Sequence, residues 1–113
     1  SVNYSEADFI LSSQEITSAR GQAVKKFKTG DKVYFFISRG EEKLGASLFI
    51  IEIDYFENDA YQRYKQISYE LDSAYDQLGA CIPRQYFSRP GRYQVKASLD
   101  GKVVGTRKIA VEP

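Results

Sequence analysis

The last twenty-five residues, RPGRYQVKASLDGKVVGTRKIAVEP, alternate apolar and polar side chains in two runs around a turn, and this period of two constrains the fold more than any other feature of the chain. Tyr93, Val95 and Ala97 share one face of the first run, and Val103, Ile109 and Val111 share one face of the second. All six positions are odd. Cross-strand partners share a face, so a two-residue Asp100-Gly101 loop, which pairs 97 with 104, sets an apolar face against a polar one. A three-residue loop, Leu99-Asp100-Gly101, pairs 97 with 103 and 95 with 105, and it predicts Gly101 at positive φ, where glycine carries no steric penalty.

The same alternation runs upstream. ADFIL reads as a short edge strand, and VKKFKTGDKVYFFIS as a strand, a Thr29-Gly30-Asp31 turn and a second strand. In that second strand Val33, Phe35 and Ile37 oppose Tyr34 and Phe36, so both faces are expected to be covered. ASLFIIEIDYF is the longest strand candidate, with Ile51, Ile53 and Tyr55 opposite Glu52 and Asp54. Ser12-Ser13-Gln14-Glu15 has capping-box spacing for one helical turn at most, and residues 1–5 and 12–20 are expected to be irregular.

Residues 58–78 admit two readings. As a helix, Ala60, Tyr64, Ile67, Leu71, Ala74 and Leu78 form one stripe between an Asn58 cap and a Gly79 stop. As a strand, Ile67, Tyr69 and Leu71 alternate with Ser68, Glu70 and Asp72, and Glu57-Asn58-Asp59 turns the chain back from the preceding strand. Periodicity favours the helix. Context favours a strand over 61–71, because sequential strands usually pair.

At 113 residues, 42% of them hydrophobic and 27% charged, the chain has the composition of a folded domain, and one domain over 1–113 is expected. No apolar run approaches the roughly 20 residues of a membrane helix, so no membrane insertion of this segment is expected. The lack of any Met, position 1 included, is expected of a piece of a longer product, made by leader removal or by excision of a domain. Cys81 has no second cysteine to pair with, and is expected to pack as a small apolar residue. Charge is unevenly spread: residues 44–80 carry two basic and seven acidic side chains, and residues 81–113 carry seven basic and two acidic.

Chemistry is sharply limited. Without His and with a single Cys, catalytic triads, Cys-His pairs and the usual zinc sites are excluded. Glu52 and Asp54 share a strand face, but such alternating acids are ordinarily the wet side of a sheet rather than a glycosidase pair. Glu57, Asp59, Asp72 and Asp76 lack the spacing of a calcium loop. The chain is therefore expected to be no enzyme, with no cofactor and no metal. Asn3-Tyr4-Ser5 matches a glycosylation acceptor, which has meaning only in a eukaryotic secreted protein.

What stands out is tyrosine, with nine residues, five of them at 55, 61, 64, 69 and 75. Tyrosine gives a binding surface rigid area at low entropic cost. Tyr55, Tyr61, Tyr64, Tyr69 and Tyr75, with Asp72 and Asp76, are therefore the candidate surface for a protein or glycan partner. The competing class is a small nucleic-acid-binding barrel using residues 24–36 and 84–93, where Lys25, Lys26, Lys28 and Lys32 surround Phe27 and Arg84, Arg89 and Arg92 surround Tyr86 and Phe87. The net charge of +1 disfavours it.

Around Pro90-Gly91 the reading Pro-Gly, one residue, Tyr93, one residue, Val95 resembles the last strands of immunoglobulin-like and fibronectin type III-like modules of bacterial surface proteins. The resemblance covers residues 89–113. It implies an antiparallel Greek-key β-sandwich of about seven strands with Tyr93 at the corner feeding the penultimate strand. Pro90, Gly91, Tyr93 and Gly101 then become its structural positions. The disulfide and buried Trp of antibody-type domains are missing. The function this implies is a non-catalytic interaction or spacer module of an exported, periplasmic or cell-surface bacterial protein.

Overall fold

The computed structural model describes residues 3–15 and 24–113. Eight strands occur among them: β1 (Phe9–Ser12), β2 (Lys26–Lys28), β3 (Val33–Ser38), β4 (Leu48–Glu57), β5 (Ala60–Glu70), β6 (Gln77–Ile82), β7 (Gly91–Leu99) and β8 (Lys102–Glu112). Two short 3-10 turns, Glu6–Asp8 and Arg84–Phe87, complete the regular structure. One sheet has the order β1-β3-β6 and the other β2-β8-β7-β4-β5. No helix forms over 58–78, so the strand reading holds there. The eight strands among the described residues accord with the about seven expected. The sheets are not wholly antiparallel, because β2 runs parallel to β8.

The core lies between the sheets and follows the alternation read from the sequence. Val33, Phe35 and Ile37 of β3 face Phe49, Ile51 and Ile53 of β4 and Tyr93, Val95, Ala97 and Leu99 of β7, all of them buried. Phe9 and Leu11 of β1 and Ile82 of β6 complete the smaller layer. Phe36 points the other way from β3 and is nevertheless buried, so both faces of that strand are covered as expected. At the Ser12–Glu15 capping-box motif, the Ser12 hydroxyl accepts from the Gln14 amide and no helical turn forms through residue 15. Of the stretches expected to be irregular, Ser12 instead ends β1, and residues 1–2 and 16–20 lie outside the described residues.

The closing hairpin keeps the predicted parity by a different device. Its loop has two residues, Asp100 (φ 48) and Gly101 (φ 83), joining Leu99 to Lys102. Gly101 thus has the expected positive φ. Left alone, this loop would put the two apolar faces out of phase. A bulge corrects the phase: Ser98 pairs with Val103 but Ala97 pairs with Gly105, so Val104 is the extra residue. Below it odd meets odd again, with Tyr93 opposite Ile109 and Gly91 opposite Val111. The predicted pairings of 97 with 103 and 95 with 105 are therefore replaced by 97 with 105 and 95 with 107. Val103, assigned to the core face, is instead 56% exposed, and Val104 is buried in its place.

Asp100 also ties the hairpin to its neighbours. Its carboxylate accepts from the Ser47 amide at 3.1 Å, the Ser47 hydroxyl at 3.2 Å and the Leu48 amide at 3.0 Å, fixing the start of β4. Arg107 ties the two sheets together. It sits on the odd, core-facing side of β8, and its guanidinium donates to the carbonyls of Glu6 and Phe9 and pairs with the Glu6 carboxylate at 3.2 Å.

Candidate functional site

β4 and β5 form a long hairpin closed by Asn58 (φ 55) and Asp59 (φ 63), two residue types that tolerate the left-handed region well enough to make a tight turn. Ile53 pairs with Lys65 and Asp54 with Arg63, so Tyr64 is the extra residue of a second bulge. The bulge changes where tyrosines point. Tyr61, on the outer face, packs edge-on against Phe56 at 5.2 Å between ring centres. Tyr64 turns to the inner side, 6.3 Å from the Tyr93 ring, and remains 39% exposed.

Tyr55 and Tyr93 belong to the framework of this end. The Tyr93 hydroxyl donates to the Arg89 carbonyl at 2.6 Å, and the Tyr55 hydroxyl donates to the next carbonyl, that of Pro90, also at 2.6 Å. Two successive carbonyls of the turn entering β7 are thus held by phenols from adjacent strands, with the rings edge-on at 4.9 Å. Tyr93 sits where the sequence resemblance places a corner tyrosine. Gly91, at φ 141, lies so close beneath Tyr55 that a Cβ there would meet the hydroxyl at 2.5 Å. Pro90 thus supplies a captured carbonyl, and Gly91 leaves room for the ring that captures it. Burial is the main cause that pushes the Tyr93 phenol up to about 12, with Tyr64 and Tyr55 adding to it. The Arg89 guanidinium covers the Tyr55 ring at 4.2 Å and bonds Glu57 at 3.1 Å, which raises the guanidinium's own pKa.

The remaining candidates lie elsewhere. Tyr69 packs against Phe35 and Phe49 at 5.3 and 6.1 Å, and desolvation raises its pKa. Tyr75, 45% exposed, sits in the loop after β5, where its carbonyl accepts from the Leu44 amide. Asp72 caps the same loop, accepting from the Ala74 amide at 2.8 Å, and Asp76 is exposed nearby in sequence. Tyr61 and Tyr69 stand roughly 25 Å apart along β5, given about 3.3 Å per residue. The seven candidates therefore do not form one patch. Tyr55, Tyr61 and Tyr64 gather at the hairpin end, while Tyr75, Asp72 and Asp76 gather at the other.

The hairpin end is also where cations meet aromatic rings. On the outer face the Arg92 guanidinium lies 3.8 Å from the Phe56 ring centre and the Lys108 ammonium 5.5 Å from that of Tyr61. On the inner side Lys65 lies 5.4 Å from Tyr64 and 5.5 Å from Tyr86. Next along the outer face, Arg63 bridges Glu52 at 2.8 Å and Asp54 at 3.2 Å, so those two acids form the partners of a surface cation rather than a free carboxylate pair.

Arg92, read in the sequence as part of a basic nucleic-acid segment, instead covers Phe56, and Lys108 takes part in this surface without having been singled out in the sequence. The signal for Lys108 was available: like Arg92 on β7, which flanks Phe56, it occupies the outer parity of its strand, β8, one strand further out. The basic parts of the nucleic-acid reading fall in one sheet, with Lys26 and Arg92 on either side of Ala110, but their aromatic rings do not join them. The rings of Phe27 and Phe87 are buried in the core, so neither offers a stacking face, and the two sheets make a sandwich rather than a barrel. Cys81 departs from its expected burial, because it falls on the outer parity of β6, opposite Tyr34, and is exposed.

No family model matches the chain, and no curated protein does. Solved structures do. An uncharacterized protein from Bacillus anthracis strain Ames is similar at 23% identity and TM-score 0.52, covering 80% of this chain and 78% of that one. An immunoglobulin-like protein from Pseudomonas aeruginosa is similar at 10% identity and TM-score 0.55, covering 92% and 91%. At these identities the likeness concerns the fold. Together with the two sheets and the captured tyrosine at the entry to β7, it identifies the architecture as an immunoglobulin-like β-sandwich.

Proposed function

We propose that this domain is a non-catalytic interaction or spacer module of an exported or cell-envelope bacterial protein. Its partner is a protein or a glycan, bound at the β4–β5 hairpin end. The observation that carries this reading is the bulge at Tyr64, which turns Tyr64 to one side of an edge strand and leaves Tyr61 on the other. A partner gripping that end touches both rings. Rings already fixed by Tyr93, Phe56 and neighbouring cations lose little freedom on binding. The acids at 72 and 76 lie at the opposite end of β5, and so the proposed surface is aromatic and cationic more than acidic.

Support for the setting comes from the fold, since immunoglobulin-like sandwiches are common in exported proteins, and from both solved neighbours being bacterial. Among the described residues no helix is long and apolar enough to cross a membrane. The test is photocrosslinking in the source cells, with a benzophenone amino acid at 61 or 64 and a control at Gln77 on the other sheet. Adducts of distinct mass at 61 and 64, absent at 77, are expected for a protein partner. A glycan partner gives no protein adduct but binds on a glycan array and loses binding with Tyr61→Ala. Failure of both experiments overturns the reading.

A further inference from the structure

Among the described residues β5 is the longest strand at a sheet edge, spanning Ala60–Glu70 and pairing with β4 alone. Its backbone groups alternate in direction. The Leu71 amide donates to the Ser47 carbonyl and the Asp100 amide to the Leu48 carbonyl, each at 2.9 Å. Odd residues of β4 therefore address β5 and even ones address β7. By the alternation of an antiparallel ladder, Lys65, Ile67 and Tyr69 turn their N–H and C=O groups to β4, while Gln66, Ser68 and Glu70 turn theirs to solvent. All three of these residues are exposed. The bulge at Tyr64 spoils the edge on the hairpin side, so the regular free segment is 66–70.

That segment is complementary to itself. A twofold axis through Ser68 sets Ser68 against Ser68 of a second copy, Gln66 against Glu70, and Ile67 against Tyr69. No like charges face one another. Charge along the chain also has a direction, with Arg63 and Lys65 before the centre and Glu70, Asp72 and Asp76 after it. Antiparallel docking lays the basic end of one copy along the acidic end of the other, whereas parallel docking lays like on like. It also covers Ile67 and Tyr69, which remain half-buried in one copy.

We infer that the occupant of this edge is a second copy of the chain, docked antiparallel about Ser68 so that two five-stranded sheets become one of ten. Sedimentation of the purified chain from about 1 µM to 1 mM tests it, with reductant present because Cys81 is exposed. A concentration-dependent dimer that weakens with salt is expected. Ser68→Pro removes an N–H that points away from β4, and is expected to loosen the dimer at least about tenfold while the monomer stays folded. Gln66→Glu, facing Glu70, should loosen it about two- to fivefold, and Gln66→Lys should tighten it by a similar factor. A chain that stays monomeric at 1 mM overturns the inference, and so does a dimer on which the two substitutions at 66 act alike.

Discussion

The corner at Pro90-Gly91 and the free edge of β5 both use tyrosine, and they use it in opposite ways. At the corner, Tyr55 and Tyr93 each have a backbone carbonyl at 2.6 Å and a ring neighbour at 4.9 Å, and Gly91 makes room for Tyr55. Along β5, Tyr61 and Tyr64 have ring neighbours but, among the described residues, spend their hydroxyls on no carbonyl, and Tyr64 is 39% exposed. A phenol with a fixed acceptor is committed to holding the chain. One without is free to meet something else. Counting tyrosines in a sequence merges these two populations, and the hydroxyl's partner separates them.

Substitutions break this comparison in a definite order. Gly91→Ala should cost the most, about 3 kcal/mol, because the new Cβ must displace the Tyr55 hydroxyl and adopt a φ of 141. Urea denaturation should show it as a lower midpoint with an unchanged slope. Tyr93→Phe leaves a captured carbonyl without its donor and should cost about 2 kcal/mol in the same measurement.

The same residue predicts an alkaline effect. The folded phenol titrates near 12 and the unfolded one near 10, so the folded state favours the protonated form. Its stabilisation is complete below pH 10 and is lost as pH rises from 10 through 12, up to about 2 kcal/mol. Lysines and other tyrosines titrate in that range too, so the readout is the difference between wild type and Tyr93→Phe, which should shrink over that window. A constant difference would contradict the burial argument.

Tyr55→Phe should cost less, about 0.5–1 kcal/mol, because the Pro90 carbonyl lies at an exposed site where water replaces the phenol. Tyr64→Ala should cost least, under about 1 kcal/mol in stability, while abolishing whatever binding the hairpin end provides. If Tyr64→Ala were as destabilising as Tyr93→Phe, the division between holding and meeting would fail.

Much of this could be read from the sequence, because period two is a robust signal. Alternation alone places Val33, Phe35 and Ile37 of β3, Ile51 and Ile53 of β4 and Tyr93, Val95 and Ala97 of β7, whereas Leu99, expected in the turn, is a buried end of β7. What alternation could not supply was the location of the bulges. Val103 and Val104 are the same residue, so hydropathy has nothing with which to choose between them. Tyr64 breaks the alternation of β5 in a stretch that also fits a helical stripe, and only the pairing with β4 settles the register. The scatter of the candidate site has a related cause. Neighbours in an extended strand separate at over 3 Å per residue, so a cluster in sequence becomes a line in space. Arg107 was legible in principle, being a cation on the apolar parity of β8, a position that demands carbonyls or a carboxylate to receive it.

The bulge at Val104 makes the hairpin tolerant of a paired change that neither half would survive alone. Deleting Val104 throws every side chain from 105 to 112 onto the wrong side of the sheet, and adding a residue to the Asp100-Gly101 turn does the same in the opposite sense. Performed together, the two edits cancel below residue 104, because what the core reads is only whether the offset between strands is odd or even. Relatives of this fold that carry a longer closing turn should therefore lack the bulge, and those with a two-residue turn should keep it.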